Sequence, residues 1–270
     1  MPRALAVLAC ALAASVAAAF AAHAAAPPKG AELTGVWMIQ EAYFLGKPLK
    51  PAPKLTPAVA ALAERRAAAM KAGYVREVSG MLCGQNGGPN MYQVRSPFEI
   101  FEGFGRITLI FETEMNNQPR TIYLDDKAQP DEIYPTYNGH SIGHWEGRTL
   151  VVDTRGFVQR GHLMGSIPRT TRTHTVERLS TSPDGKTLSV QITVEDPSSL
   201  TEPWTTTLKF DRKPATEERF EVWCDADLEA FNTLDLKALK DADPEIALLL
   251  DGANTDPAVV IAKQAGTAGK

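Results

Sequence analysis

From Pro97 onward the chain repeats one pattern: short apolar or β-branched runs separated by turn residues. The clearest instance lies between residues 187 and 194. Leu188, Val190, Ile192 and Val194 alternate with Thr187, Ser189, Gln191 and Thr193. Alternate residues of a strand share a face, so this run reads as an antiparallel strand with one apolar and one wet side. Ser182-Pro183-Asp184-Gly185 supplies a turn before it. Runs at Phe98 to Phe101, Arg106 to Glu112, Arg120 to Leu124, Arg172 to Leu179, Trp204 to Phe210 and Phe220 to Trp223 repeat the theme. A hairpin at Tyr137 to Thr154 and an opening strand at Leu33 to Ile39 bring the number of strands to about ten. Many short strands without alternating helices predict a mainly β protein, an antiparallel barrel or a related sandwich, over residues 33–224.

Two helical regions interrupt this reading. Residues 56–72 predict a helix. Thr56 suits an N-cap, Pro57 the first turn, and Gly73 the end. Val59, Leu62, Ala63, Ala67 and Met70 follow helical spacing and predict a stripe packed on the barrel. After Cys224 the composition shifts, and residues 225–270 read as a helical tail with a frayed end.

The N-terminus reads as an export signal. Arg3 precedes the apolar run Ala4 to Ala22, and Ala22-His23-Ala24 fits an A-x-A cleavage site. The expectation is a signal peptide over residues 1–24, a linker over 25–32, and a periplasmic or secreted mature chain. Cys10 lies too close to Arg3 for an ordinary lipoprotein signal, and whether it is lipidated stays open. Cys83 and Cys224 form an even pair in such a chain and predict a disulfide. The chain has 28 basic and 32 acidic residues and no Lys/Arg cluster, which argues against nucleic acid as a partner. The Gly-rich stretch Cys83 to Met91 lacks the Lys-Ser/Thr and following helix of a phosphate cradle.

The densest chemistry is at Tyr137 to Thr154, read Y-N-G-H-S-I-G-H-W-E-G-R-T-L-V-V-D-T. Strand alternation puts His140, Ile142 and His144 on one face and Ser141, Gly143 and Trp145 on the other. Asp153 lies on the partner strand. A His paired to a carboxylate is poised for acid–base work near neutral pH. The catalytic candidates are His140, Asp153 and His174. The ligand-binding candidates are Tyr123, His140, His144, Trp145 and Arg178. Glu146 and Asp125 are further carboxylates within reach of this set. Asp153, Glu177 and Arg178 also admit a structural role, because buried charges are usually paired. His140, His144, His162 and His174 do not suggest a metal, since residues i and i+4 of a strand stand about 13 Å apart. No metal or cofactor is expected.

Gly35-x-Trp37 at the start of a first strand resembles the opening of lipocalin-like (calycin-type) barrels, in which the Trp plugs one end. The chain also resembles a family of exported bacterial proteins of unassigned function. The shared motifs are Gly35/Trp37, Cys83, Pro97-Phe98-Glu99-Ile100, Ile122-Tyr123-Leu124-Asp125, Gly139 to Thr154, His174-Thr175-Val176-Glu177-Arg178, Glu195-Asp196-Pro197, Pro203-Trp204-Thr205 and Cys224. His144 stands where that family has Arg, Arg148 where it has Asp, and Asp126-Lys127 where it has Gly-Arg. The resemblance implies a β-rich secreted domain and leaves its chemistry open. Two functions therefore follow from the sequence. One is a barrel binding a small, largely apolar or aromatic molecule in its cavity, with His140 near the polar end. The other is a cofactor-free lyase, hydratase or isomerase using His–carboxylate chemistry in that cavity.

Overall fold

A computed structural model describes residues 32–41, 50–71, 87–112, 119–124, 128–159, 163–164 and 167–218. The expected signal peptide, both cysteines of the expected disulfide, Asp125, His162, the strand at 220–223 and the C-terminal helices lie outside the described residues.

Nine strands close into a barrel in sequence order. They are β1 (Gly35–Ile39), β2 (Phe98–Gly103), β3 (Arg106–Phe111), β4 (Arg120–Tyr123), β5 (His140–Glu146), β6 (Thr149–Arg155), β7 (His174–Thr181), β8 (Thr187–Glu195) and β9 (Trp204–Arg212). β9 returns to β1, with Ile39 opposite Phe210, so no edge is left open. The barrel resolves the choice between barrel and sandwich. One expectation needs correction: β4 and β5 run parallel, with Ile122 opposite Ser141. A parallel pair cannot be joined by a tight hairpin, so the chain between Tyr123 and His140 must cross back along the wall. Part of that crossover, including Gln129 and Ile133, lies against β5 and β6. Gln129 bonds to the backbone of His140 and Asp153, and Ile133 closes on Gly156.

The alternation read along β8 is realised: Leu188, Val190, Ile192 and Val194 are all fully buried. They join Trp37, Phe98, Ile100, Ile107, Leu109, Leu150, Val152 and Phe210 in one core inside the barrel. Gly143 shows how closely this wall packs. A Cβ there would stand 2.8 Å from Ile122 Cγ2 and 3.2 Å from Leu150 Cδ1. At one end Trp37 donates Nε1 to the Leu33 carbonyl, and the Arg212 guanidinium lies 4.1 Å over its ring. Arg212 also donates to the carbonyls of Glu32, Thr34 and Gly185, binding the chain before β1 to the β7–β8 turn.

The helix α1 (Pro57–Lys71) lies where it was expected, with Val59 and Leu62 buried. The Thr56 hydroxyl donates to the Ser198 carbonyl, and the Thr56 N–H donates to the Ser199 carbonyl. The residue expected to cap the helix therefore docks its start onto the turn after β8.

Candidate functional site

Two groups of polar side chains stand out, one on each side of the barrel wall. The outer group holds the candidates read from the sequence. Ser141 is buried and Gly143 packs on the core, so β5 turns Ser141, Gly143 and Trp145 inward and His140, Ile142 and His144 outward. The expected placement of His140 near the polar end of an interior cavity is thus corrected. The physical reason is that both phases of β5 carry an apolar residue, Ile142 and Trp145, and only closure of the barrel chooses between them.

On the outer face the structure brings together Tyr123, His140, Asp153 and His174, one from each of β4 to β7. His174 Nε2 lies 2.6 Å from Asp153 Oδ2, and its Nδ1 lies 3.3 Å from Glu195 Oε2 on β8. The His174 side chain is 18 % exposed. The Asp153 hydrogen bond is the main cause that raises the His174 pKa, and burial opposes it only in part. Burial alone would raise the Asp153 pKa, but the hydrogen bonds from His174 and Gln129 outweigh it and hold the carboxyl below its ordinary value. With both ring nitrogens on carboxylates, His174 holds a proton rather than passing one on.

His140 is arranged differently. The Gln129 amide nitrogen faces only acceptors: Asp153 Oδ1 at 3.0 Å, the Asp153 carbonyl at 3.0 Å and the His140 carbonyl at 3.4 Å. Chemistry therefore fixes the amide orientation, because these oxygens can only accept. Gln129 Oε1 then faces His140 Nδ1 at 3.0 Å, so Nδ1 carries a hydrogen, and in the neutral ring the lone pair falls on Nε2. The imidazole stacks on the Tyr123 ring, with centroids 5.2 Å apart and planes inclined by 17°. Gln129 was not among the residues read from the sequence. It sits in an irregular crossover, and no spacing rule connects it to β5.

The remaining outer candidates form a separate group farther along the wall. Arg178 donates to Glu146 at 2.7 Å, and His144 lies 3.4 Å from the same carboxylate. Arg178 and then His144 hold the Glu146 pKa down. Trp145 faces the other way and packs against the core. Among the described residues no group of three or more His, Cys, Asp or Glu could hold a metal ion.

The inner group was missed as a site. Arg120 of β4 and Glu177 of β7 form a two-pronged ion pair inside the barrel, at 2.7 Å and 2.9 Å. Both side chains are 1 % exposed. Arg120 also donates to Ser141 Oγ and Thr154 Oγ1, which lie 2.9 Å from each other. Tyr92, from the 3-10 turn Asn90–Gln93, donates its hydroxyl to Glu177 Oε2 at 3.0 Å. Burial pulls the Arg120 pKa down, but the Glu177 carboxylate outweighs it and keeps the guanidinium charged. Thr175, next to Thr154 across the β6–β7 pair, has a buried Oγ1 with no partner among the described residues. A signal for this group was present. Arg120 shares the inward phase with Ile122, and Glu177 shares it with Leu179. A charge on the apolar phase of a strand asks for a partner inside. The Glu177 pairing agrees with its structural reading, through a partner the sequence did not name.

The outer pair gives a pH prediction. His174 has a raised pKa, so its contribution to stability is complete below its ordinary value of 6.5 and is lost as pH rises through the folded value. Asp153 has a lowered pKa, so its contribution is present above 3.8 and is lost as pH falls through the folded value. Arg155 and Glu195 also face the pair: Glu195 moves the His174 limit up, and Arg155 moves both limits down. The stability difference between wild type and His174→Gln is expected to be largest between about pH 4 and 6.5 and to shrink above that. Urea unfolding at stepped pH measures it, and a pH-independent difference contradicts the assignment.

No protein-family model matches this chain, and no curated protein matches it.

Proposed function

We propose that the protein is an exported, lipocalin-like barrel that binds a small, largely apolar or aromatic molecule inside the barrel. The ligand's polar end meets Arg120 and Glu177. One observation carries the reading: a fully enclosed ion pair sits among three hydroxyls, one of them without a partner among the described residues, and is joined through Tyr92 to an aromatic wall. Ser141, Thr154 and Thr175 are the hydroxyls, and Phe98, Phe111 and Phe210 line the wall. An apolar interior with a few convergent polar groups is the ordinary composition of a small-molecule site. A buried ion pair is weak support for stability, because apolar side chains of similar volume often serve as well. The closure of one barrel end by Trp37 and Arg212 supports the lipocalin-like part of the reading. The Ala-rich N-terminus with its A-x-A site supports export, in keeping with the resemblance to exported bacterial proteins. Native mass spectrometry of the full chain from its own source is expected to reveal a co-purifying small molecule that Glu177→Gln loses. A chain that carries no small molecule, and whose melting no compound in a broad library shifts, contradicts the reading.

The Asp153–Gln129–His140 arrangement favours a second reading, cofactor-free acid–base chemistry of the lyase, hydratase or isomerase kind on the outer wall. The fixed tautomer leaves His140 Nε2 as the base, beside the exposed Tyr123 ring. Nitrogen NMR is expected to find His140 protonated at Nδ1, and Gln129→Ala to mix the tautomers. An Nε2-protonated His140 in the wild type removes this reading.

A further inference from the structure

Three side chains make a row across the outer wall: Arg155 from β6, His140 from β5 and Tyr123 from β4. Arg155 and His140 are direct cross-strand partners. Both point outward, because their chain neighbours Thr154 and Ser141 are buried on the inner side. His140 stacks in turn on the Tyr123 ring, with centroids 5.2 Å apart. The row thus runs from a guanidinium through an imidazole to an aromatic ring. It spans two strand spacings, about 10 Å.

Each member has unused capacity. Arg155 spends only its Nε–H, on Asp153 Oδ1 at 3.4 Å. Its two terminal nitrogens have no partner among the described residues, and its side chain is 54 % exposed. His140 Nε2 has no partner among the described residues either, while Gln129 holds Nδ1. The Tyr123 ring is 39 % exposed beyond what His140 covers.

We propose that Arg155 is the anchor for a carboxylate on the outer wall, and that the molecule it anchors is a small 2-oxo acid with an aryl or alkyl tail. The inference rests on the acid–base reading of His140 and names the substrate class for it.

The chemistry selects each part of that molecule. The terminal fork of a guanidinium matches a carboxylate at two points. The protein's own carboxylates here are already engaged. Asp153 accepts from His174 at 2.6 Å, from Gln129 at 3.0 Å and from Arg155 Nε, and Glu195 faces His174 Nδ1 at 3.3 Å. A base at His140 Nε2, one strand away from the anchor, needs an acidic hydrogen close to the carboxylate. The carbon beyond the keto group of a 2-oxo acid carries one, because the carbonyl takes up the charge. A tail on that carbon continues the line toward Tyr123 and its outward neighbour Ile142, which is paired with it. The proton step balances within the site. Nε2 takes the proton, the C–H electron pair moves into the carbonyl as an enolate, and the imidazolium returns a proton to the same carbon. Gln129 can keep its bond throughout, because Nδ1 bears a hydrogen in both forms of the ring.

The test is an NMR titration of the full-length protein with phenylpyruvate and with phenylacetone, in which a methyl replaces the carboxylate. Wild type is expected to bind phenylpyruvate saturably, with shifts at the His140 ring, and to bind phenylacetone at least about tenfold more weakly. Arg155→Gln is expected to bring phenylpyruvate down to the phenylacetone level and to leave phenylacetone unchanged. A merely structural Arg155 would weaken both compounds alike, and that result overturns the proposal. So does an unchanged phenylpyruvate affinity in Arg155→Gln, or no binding by wild type. Hydrogen–deuterium exchange at the phenylpyruvate CH2, above a protein-free blank, reads the base in the same samples. His140→Gln is expected to cut it about 100-fold or more. If both compounds exchange equally fast and Arg155→Gln alters neither, the inference fails and the acid–base reading stands. If phenylpyruvate binds through Arg155 without exchange above the blank, the acid–base reading fails and the carboxylate anchor stands.

Discussion

Glu177→Ala is expected to cost about 3–5 kcal/mol of folding stability, because it leaves the Arg120 guanidinium charged and unpaired inside the barrel. Arg120 makes its two shortest contacts, at 2.7 Å and 2.9 Å, to this carboxylate. Ser141 and Thr154 can still accept from it, but neither carries charge. Tyr92 loses the acceptor of its hydroxyl in the same step. Much of the cost comes from the stranded partner rather than from the lost attraction. A second variant, Arg120→Met with Glu177→Leu, is therefore expected to recover most of the stability, since apolar pairs of similar volume often replace buried ion pairs without loss. Urea denaturation of the three proteins measures this. A Glu177→Ala cost below about 1 kcal/mol would mean that water or a rearranged neighbour already satisfies Arg120. The double variant also separates stability from function. A protein that folds fully but no longer retains a small molecule places the ion pair on the functional side.

Asp196→Ala is the second large expected effect, about 3 kcal/mol or more, because several buried donors lose one acceptor together. The carboxylate accepts from Thr170 N–H at 3.1 Å, Thr170 Oγ1 at 3.0 Å, Thr173 Oγ1 at 2.5 Å and Ser198 N–H at 3.0 Å. Asp196 is 1 % exposed, and Thr170 and Thr173 are buried with it. The group ties the segment before β7 to the turn after β8, the same turn on which α1 starts. Loss of the carboxylate therefore loosens one end of the barrel and the seat of the helix together. Thermal unfolding followed by tryptophan fluorescence measures the change, with Trp204 4 % exposed at this end and its indole N–H bonded to the Pro51 carbonyl. Asp196→Asn keeps acceptor capacity on one oxygen and is expected to lose clearly less. Equal losses in the two variants would show that the charge, not the pattern of donors, holds the turn.

The strands themselves were legible along the chain because strand formation is written locally. Residues 187–194 alternate strictly, the Ser182-Pro183-Asp184-Gly185 turn sits where the chain reverses, and the hairpin around Gly103 and Gly105 pairs in the register its turn allows. The coming together of Tyr123, His140, Asp153 and His174 was partly legible too. Their strands are consecutive, and neighbouring strands in sequence became neighbours in the barrel. The face they occupy was not. With Ile142 in one phase of β5 and Trp145 in the other, hydrophobicity along that strand does not choose a side. The choice fell to Gly143, whose missing side chain lets Ile122 and Leu150 close on the inner wall.

The sequence by itself determined a mainly β chain, the approximate positions of most of its strands, one packed helix near the start, and the residues of the outer row. Only the tertiary structure decided barrel closure through β9 and β1, the parallel β4–β5 pair, and the meeting of Arg120 with a carboxylate 57 positions away. It also decided that a tyrosine from a turn would fill the interior beside them. The physical reason is range. Alternation and turn chemistry act over a few residues, whereas a buried charge is satisfied by whatever the closed wall places opposite it.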